Sequence, residues 1–242
     1  MVTSRSSHIP ALLLFAAALF ISISAAGCTQ NEPTPVPGTP LPQITASEAV
    51  NQSKAAMAAL ESFSFELTHD SGFTTLSSSL RLSRASGIVA LDGLDLEAEA
   101  NIGRAFVRIE AVVIDEQTWM TNPLTGVWSE IAPEDSPFSF LDPVKLVADI
   151  LGETQQPVYP ADDESTGDIT VTGSIPAPTL AALVGRVDPD AVPNVELTLD
   201  QASYVLKRII ISGNVQPEDE PDTVRVITLS EFDKPVSIEP PI

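Results

Sequence analysis

Two side chains in this 242-residue sequence carry chemistry that the rest of the chain cannot supply: Cys28, the only cysteine, and His69, one of two histidines. The other histidine, His8, lies in the apolar-leaning N-terminal stretch. A single cysteine excludes an intramolecular disulfide framework and any Cys/His zinc site. If Cys28 is consumed by modification, no thiol nucleophile remains, and His69 is the sole imidazole available to activate a serine. His69-Asp70 stands where a strand should end, which fits a turn or surface role. The 33 acidic residues could supply carboxylate pairs, but no spacing singles one out. Asp162 to Asp168, DDESTGD, lacks the alternating ligands and distant glutamate of a calcium loop, so it reads as a solvated hairpin turn. No G-x-S-x-G elbow, phosphate-binding glycine loop or zinc spacing occurs. The sequence therefore predicts no catalytic set, no cofactor and no metal, and an enzyme is not expected.

What Cys28 can do is accept acyl chains. Residues 11–28 read ALLLFAAALFISISAAGC, with Arg5 ahead of them: a charged start, an apolar core and small residues before the cysteine. That three-part layout is a secretory signal. Ala25-Ala26-Gly27-Cys28 resembles the lipobox of bacterial lipoproteins, cut just before a cysteine that carries diacylglycerol, with Ala25 where leucine is usual. An ordinary signal with a chance cysteine, and an uncleaved anchor over residues 9–23, are the alternatives. The position of the one cysteine favours the lipobox. Acyl chains contribute about 0.8 kcal/mol per buried CH₂, enough for a multiply acylated cysteine to hold the chain on a membrane. The expected organisation is a signal peptide at 1–27, acylated Cys28 with a tether through 43, and an exported domain over 44–242 on the extracytoplasmic face of the cell membrane.

The net charge is −21, and cleavage after residue 27 would remove Arg5 and no acid. So acidic a domain lacks the basic footprint that nucleic acid demands and is repelled by anionic headgroups. Residues 29–43, TQNEPTPVPGTPLPQ, hold five prolines and read as an extended spacer. The 199 residues from Ile44 onward are enough for one domain with a sizeable core.

Thr45-Ala-Ser-Glu48 is a capping box that predicts a helix, with Ala46, Ala49, Val50, Ser53, Ala56, Met57 and Leu60 on one face. From Phe63 the period changes to two, and Phe63, Phe65 and Leu67 alternate with polar residues as a half-buried strand. Further strands follow around 76–83, 88–91, 94–101, 106–114, 119–121 and 128–131, with turns expected at Ser86-Gly87, Asp92-Gly93 and Asn122 to Gly126. Asp142-Pro143 begins a second helix and Pro178 to Gly185 forms a third. Strands near 155–159, 169–174, 195–200, 204–212 and 223–232 complete the pattern, the last two separated by an acidic, proline-flanked turn at 216–222. The expected fold class is α+β: one large antiparallel sheet of sequence neighbours with a few short helices.

The remaining chemistry is apolar. The helices look too short to cover so wide a sheet, and an incompletely filled apolar concavity is the usual form of a ligand pocket. Met57, Leu60, Phe65, Phe106, Trp119, Phe138 and Phe140 are the candidate lining. Phe138-Ser-Phe140-Leu141, between Pro137 and Pro143, would form an apolar lip. A cavity above about 300 Å³ would favour a carrier over a filled scaffold.

The order of these features resembles the LppX/LprG-type lipoproteins of mycobacteria, with their LppX_LprAFG domain. The resemblance spans about Ile44 to Ile242 and is carried by Ala46 to Thr68, VIDEQTWM at 113–120 with Trp128-Ser129, DESTGDITVTG at 163–173, VITLSEF at 226–232 and VSIEPP at 236–241. It implies a curved half-barrel sheet with helices on its concave side. It also implies an apolar cavity for acyl lipids or glycolipids moved through the cell envelope, and possible service to a membrane transporter. The alternatives are a filled interaction lipoprotein whose acidic face meets a partner, and a hydrolase built on His69 or a carboxylate pair.

Overall fold

The capping box forms as its residues require. Glu48 N–H donates to Thr45 Oγ1 at 3.2 Å, Thr45 N–H donates to Glu48 Oε2 at 2.8 Å, and helix α1 (Ala46–Ala58) follows. Its buried face is mostly small (Ala46, Ala49, Ser53), which lets α1 pack closely on α2 (Pro143–Glu153). Asp142 caps α2 by accepting from Lys145 N–H at 2.9 Å, and Pro143 takes the first turn, where its missing N–H is no loss. A 3-10 turn at Ala177–Leu180 runs directly into α3 (Ala181–Val184).

The computed structural model describes residues 44–115, 117–161 and 167–242. The expected signal peptide at 1–27, Cys28 and the expected tether through 43 lie outside the described residues, as does most of the acidic turn at 162–168. Among the described residues no helix is long and apolar enough to cross a membrane.

Twelve strands of the described residues form one antiparallel sheet that does not close. They are β1 (Ser62–Ser71), β2 (Thr74–Thr75), β3 (Leu80–Ala90), β4 (Gly93–Ile102), β5 (Ala105–Ile114), β6 (Gln117–Thr121), β7 (Trp128–Ile131), β8 (Gln155–Val158), β9 (Asp168–Ser174), β10 (Asn194–Asp200), β11 (Leu206–Ser212) and β12 (Val224–Ser230). The spatial order is β7-β6-β5-β4-β3-β1-β12-β11-β10-β9-β8, with β2 a short addition to β3. Two meanders are thus sewn together by one long-range seam, β1 against β12, in which Phe65 faces Leu229 and Leu67 faces Ile227. Neighbour-by-neighbour pairing accounts for both meanders but not for that seam.

The turn expected at Ser86-Gly87 does not exist. β3 runs through it, and a bulge between Leu82 and Arg84 shifts the inward set from Leu80 and Leu82 to Ala85, Gly87 and Val89. That change of phase imitates a strand break. Gly87 serves packing instead: a Cβ there would come within 2.9 Å of the Phe65 ring.

The inner face of the sheet and the helices share one core. Phe63, Phe65, Leu82, Leu96, Ile109, Leu197, Ile209 and Leu229 meet Leu146, Ile150, Leu180 and Leu183 in a continuous buried cluster. Residues Thr39–Ile242 form one compact unit that contains the whole of it. After β12 the chain turns back over the outer face. Asp233 N–H donates to Ser62 C=O, Ser62 Oγ donates to Lys234 C=O, and Ile238 lies 3.5 Å from where a Cβ on Gly93 would stand.

Candidate functional site

Where β1, β3 and β12 pass under α2, the inner face leaves an apolar cavity of ≈ 30 Å³. Phe65, Leu82 and Leu229 form its floor, Leu146, Val147 and Leu183 its roof, and Phe138, Phe140 and Leu141 one wall. That volume is about one water molecule and far below the ~300 Å³ of a ligand pocket, so the space is almost filled in this conformation.

The wall is a single short loop. Phe138 N–H donates to Ser136 Oγ at 3.2 Å and Leu141 N–H donates to Phe138 C=O at 2.8 Å, so the loop curls on itself and presents its rings inward. Two large open grooves lie behind it. One, ≈ 840 Å³, runs along the β3–β4 turn and past Phe138, Leu141 and Pro143. The other, ≈ 820 Å³, lies between residues 72–81, 184–186 and 218–223. Phe140 borders the cavity and both grooves. Its ring rests on Gly185, where a Cβ would approach Cδ1 to 2.8 Å. Gly185 has φ 73° and ψ −78°, and Arg186 N–H donates to Val184 C=O at 3.0 Å across it. This is a γ-turn in the positive-φ form that side chains strongly resist.

Of the seven residues proposed from sequence, Phe65, Phe138 and Phe140 line this cavity. Met57 is buried elsewhere, its Sδ accepting from Leu206 N–H at 3.3 Å, and Leu60 packs half-buried on the core edge. Phe106 and Trp119 require correction. Both belong to the outer face, because the inward residues of β5 are Val107, Ile109 and Ala111, and Trp119 pairs with outward Val112. Phe106 is 61% exposed, whereas Trp119 is buried on that outer side. Asp95 lies in the same outer row as Val112, and burial, followed by the charge of Glu97, pushes its carboxyl upward.

A buried ionic network absent from the sequence-based expectations lies at the inner end of the second groove. Arg225 is fully buried and donates to both Asp219 carboxylate oxygens at 2.8 Å, to Phe73 C=O, to Gln216 Oε1 and to Thr74 Oγ1. Asp219 also accepts from Val215 and Gln216 N–H. Burial pushes this carboxyl up, but the Arg225 hydrogen bonds and charge with the two backbone donors outweigh it, and the net shift is downward. His69 belongs to the same network. Its Nδ1–H donates to Ser83 C=O at 2.9 Å, so Nε2 of the neutral ring accepts from Thr74 Oγ1 at 3.0 Å. Burial lowers its basicity, the Ser83 bond partly offsets this, and the Arg225 charge lowers it further. Both ring nitrogens are engaged by a carbonyl and a threonine that bind β2 to β1 and β3, which is a structural role.

Known proteins bear on this geometry at two levels. In solved structures the fold is similar to that of LprF from Mycobacterium bovis, with a TM-score of 0.59 and 19% identity over 84% of this chain and 99% of that one. It is also similar to the Mycobacterium tuberculosis lipoprotein LppX, with a TM-score of 0.55 and 16% identity over 80% and 98% of the two chains. No curated protein sequence matches significantly. The sequence profile of the LppX_LprAFG lipoproteins matches residues 45–238, from the capping threonine to Ile238 of the tail that crosses the outer face. The chain belongs to the LppX_LprAFG lipoprotein family.

Proposed function

We propose that this protein is an exported, lipid-anchored carrier that shelters the acyl chains of a lipid or glycolipid between its sheet and helices and moves them within the cell envelope. Acylated Cys28 and the 28–43 tether would hold the domain at the extracytoplasmic face, within reach of a membrane transporter. One observation carries the reading: an all-apolar cavity is separated from two large grooves by a single phenylalanine-bearing loop. Displacing Phe138 and Phe140 joins these spaces, and each CH₂ then buried contributes about 0.8 kcal/mol. The closed conformation is the unloaded state. Membership of a lipoprotein family and the similarity to LprF and LppX support it.

A second reading has its own support. A cavity of ≈ 30 Å³ is what a filled scaffold would show, and such a protein would act through its acidic surface. The test uses the compact unit 39–242, purified without detergent, in native mass spectrometry followed by solvent extraction. A discrete added mass that matches an extracted lipid, and that changes in Phe140→Ala, supports the carrier. A bare mass that persists in both proteins after incubation with membrane lipids rejects it in favour of the scaffold.

A further inference from the structure

We propose that the ≈ 820 Å³ groove binds the phosphodiester headgroup of the carried lipid, with Arg81 as the anion-binding residue. This rests on the carrier reading and assigns its ligand a charge class: the net charge of −21 repels anionic surfaces from the domain as a whole, whereas Arg81 offers one local guanidinium to a single headgroup inside the groove.

The groove is amphipathic in a directed way. Its inner wall is Leu76 and Phe140, the same side chains that wall the apolar cavity, while its outer wall carries Phe73, Arg81, Arg186, Glu218 and Glu220. A molecule seated there has its apolar part directed at the cavity and its polar part at those charges. Most of the charges are already matched. Arg225 holds Asp219, and Arg186 is paired with Glu218. Arg81 has no carboxylate within ion-pair distance among the described residues, in a chain with 33 acids and 12 lysines and arginines. Its guanidinium instead lies over the Phe73 ring, 4.3 Å from the centroid.

Stacking fixes the plane of the guanidinium and leaves its edge, the fork of N–H donors that matches two phosphate oxygens, free. Glu220, the other lining charge with no ion-pair partner among the described residues, sets a limit: it repels any negative charge beyond the one that Arg81 engages, and so disfavours a dianion. A phosphodiester carries one negative charge and meets Arg81 with the least repulsion from Glu220. An uncharged glycolipid head would leave Arg81 without a partner.

The test loads the 39–242 unit from vesicles containing equal amounts of dioleoyl phosphatidylglycerol and dioleoylglycerol, which share their chains, and counts bound lipid by native mass spectrometry. Wild type should load the phosphatidylglycerol about tenfold in preference, the size of one charge-assisted contact. Arg81→Gln should bring the preference to within about twofold and leave dioleoylglycerol loading unchanged. Arg208→Gln makes the same charge change at an exposed site on β11 and should keep the wild-type preference. Equal loading by wild type, or a preference retained in Arg81→Gln, overturns the headgroup site while the carrier stands. Loading of neither lipid, by wild type or by Phe140→Ala, overturns both. Glycerophosphoglycerol binding as tightly as the intact lipid would assign Arg81 to a soluble anion and overturn the lipid assignment.

Discussion

Gly185→Ala tests the seat of the Phe140 ring. The new methyl meets two obstacles. The backbone at φ 73° and ψ −78° is a conformation that a non-glycine residue occupies at a cost of about 1–3 kcal/mol. The methyl also enters the space of the Phe140 ring, at 2.8, 3.0 and 3.2 Å from Cδ1, Cγ and Cε1. Because open grooves lie on both sides, the ring moves aside rather than compressing the core. Full burial of a phenylalanine contributes about 1.5–3 kcal/mol, so the half-buried Phe140 forfeits about 1. The variant should lose about 2–4 kcal/mol in urea unfolding. In a Phe140→Ala background the collision is absent and only the backbone cost remains, so the two substitutions should couple by about 1 kcal/mol. With the ring displaced, the cavity joins the grooves, and uptake of an environment-sensitive fluorescent fatty acid should rise in both Gly185→Ala and Phe140→Ala. Strictly additive stabilities together with unchanged dye uptake would refute the seating of Phe140 on Gly185 and its role as the barrier.

The buried ion pair and its histidine give two further predictions. Asp219→Asn keeps the shape but leaves the Arg225 charge without a counter-ion, and should cost about 3–5 kcal/mol in urea unfolding; a loss under about 1 kcal/mol would mean that the pair is not buried as described. Asp219 and His69 both bind protons less readily folded than unfolded. The unfolded chain therefore takes up protons first as pH drops, so stability is complete above the ordinary values and declines below 6.5 for His69 and again below 3.8 for Asp219. Thermal midpoints should fall between pH 7 and 5, and His69→Gln should flatten that part of the profile. A flat wild-type profile would place His69 outside the coupling.

Local signals in this chain were readable, and global ones were not. Thr45 with Glu48, Asp142 with Pro143, and Asp92-Gly93 each settle a boundary within a few residues, because capping and tight turns depend on side chains next to the backbone they serve. The alternation at Phe63, Phe65 and Leu67 gave the inner face of β1 for the same reason. Size alone does not tell the two faces apart: Phe106 alternates with inward Val107 and Ile109, and Trp119 alternates with Met120, which pairs with inward Ala111. Arg225 was decipherable in principle: it shares parity with inward Ile227 and Leu229, and an arginine on an apolar parity requires a buried acid. The acidic turn at 216–222 supplied that acid, but its composition alone suggested only solvation. The β1–β12 seam joins segments more than 150 residues apart, and nothing local encodes it.

The unclosed sheet has a mechanical consequence. In a sealed barrel the radius is fixed by strand number and stagger, and widening it means breaking rungs. Here the two borders, β7 and β8, are four residues long, and among the described residues they are not bonded to each other. Pro157 further blunts the β8 border against pairing with another chain. Spreading or drawing together the borders therefore breaks no rung of the ladder. On the carrier reading, such a sheet would act as a sprung clasp whose girth adjusts to contents of different bulk without any re-pairing of the backbone.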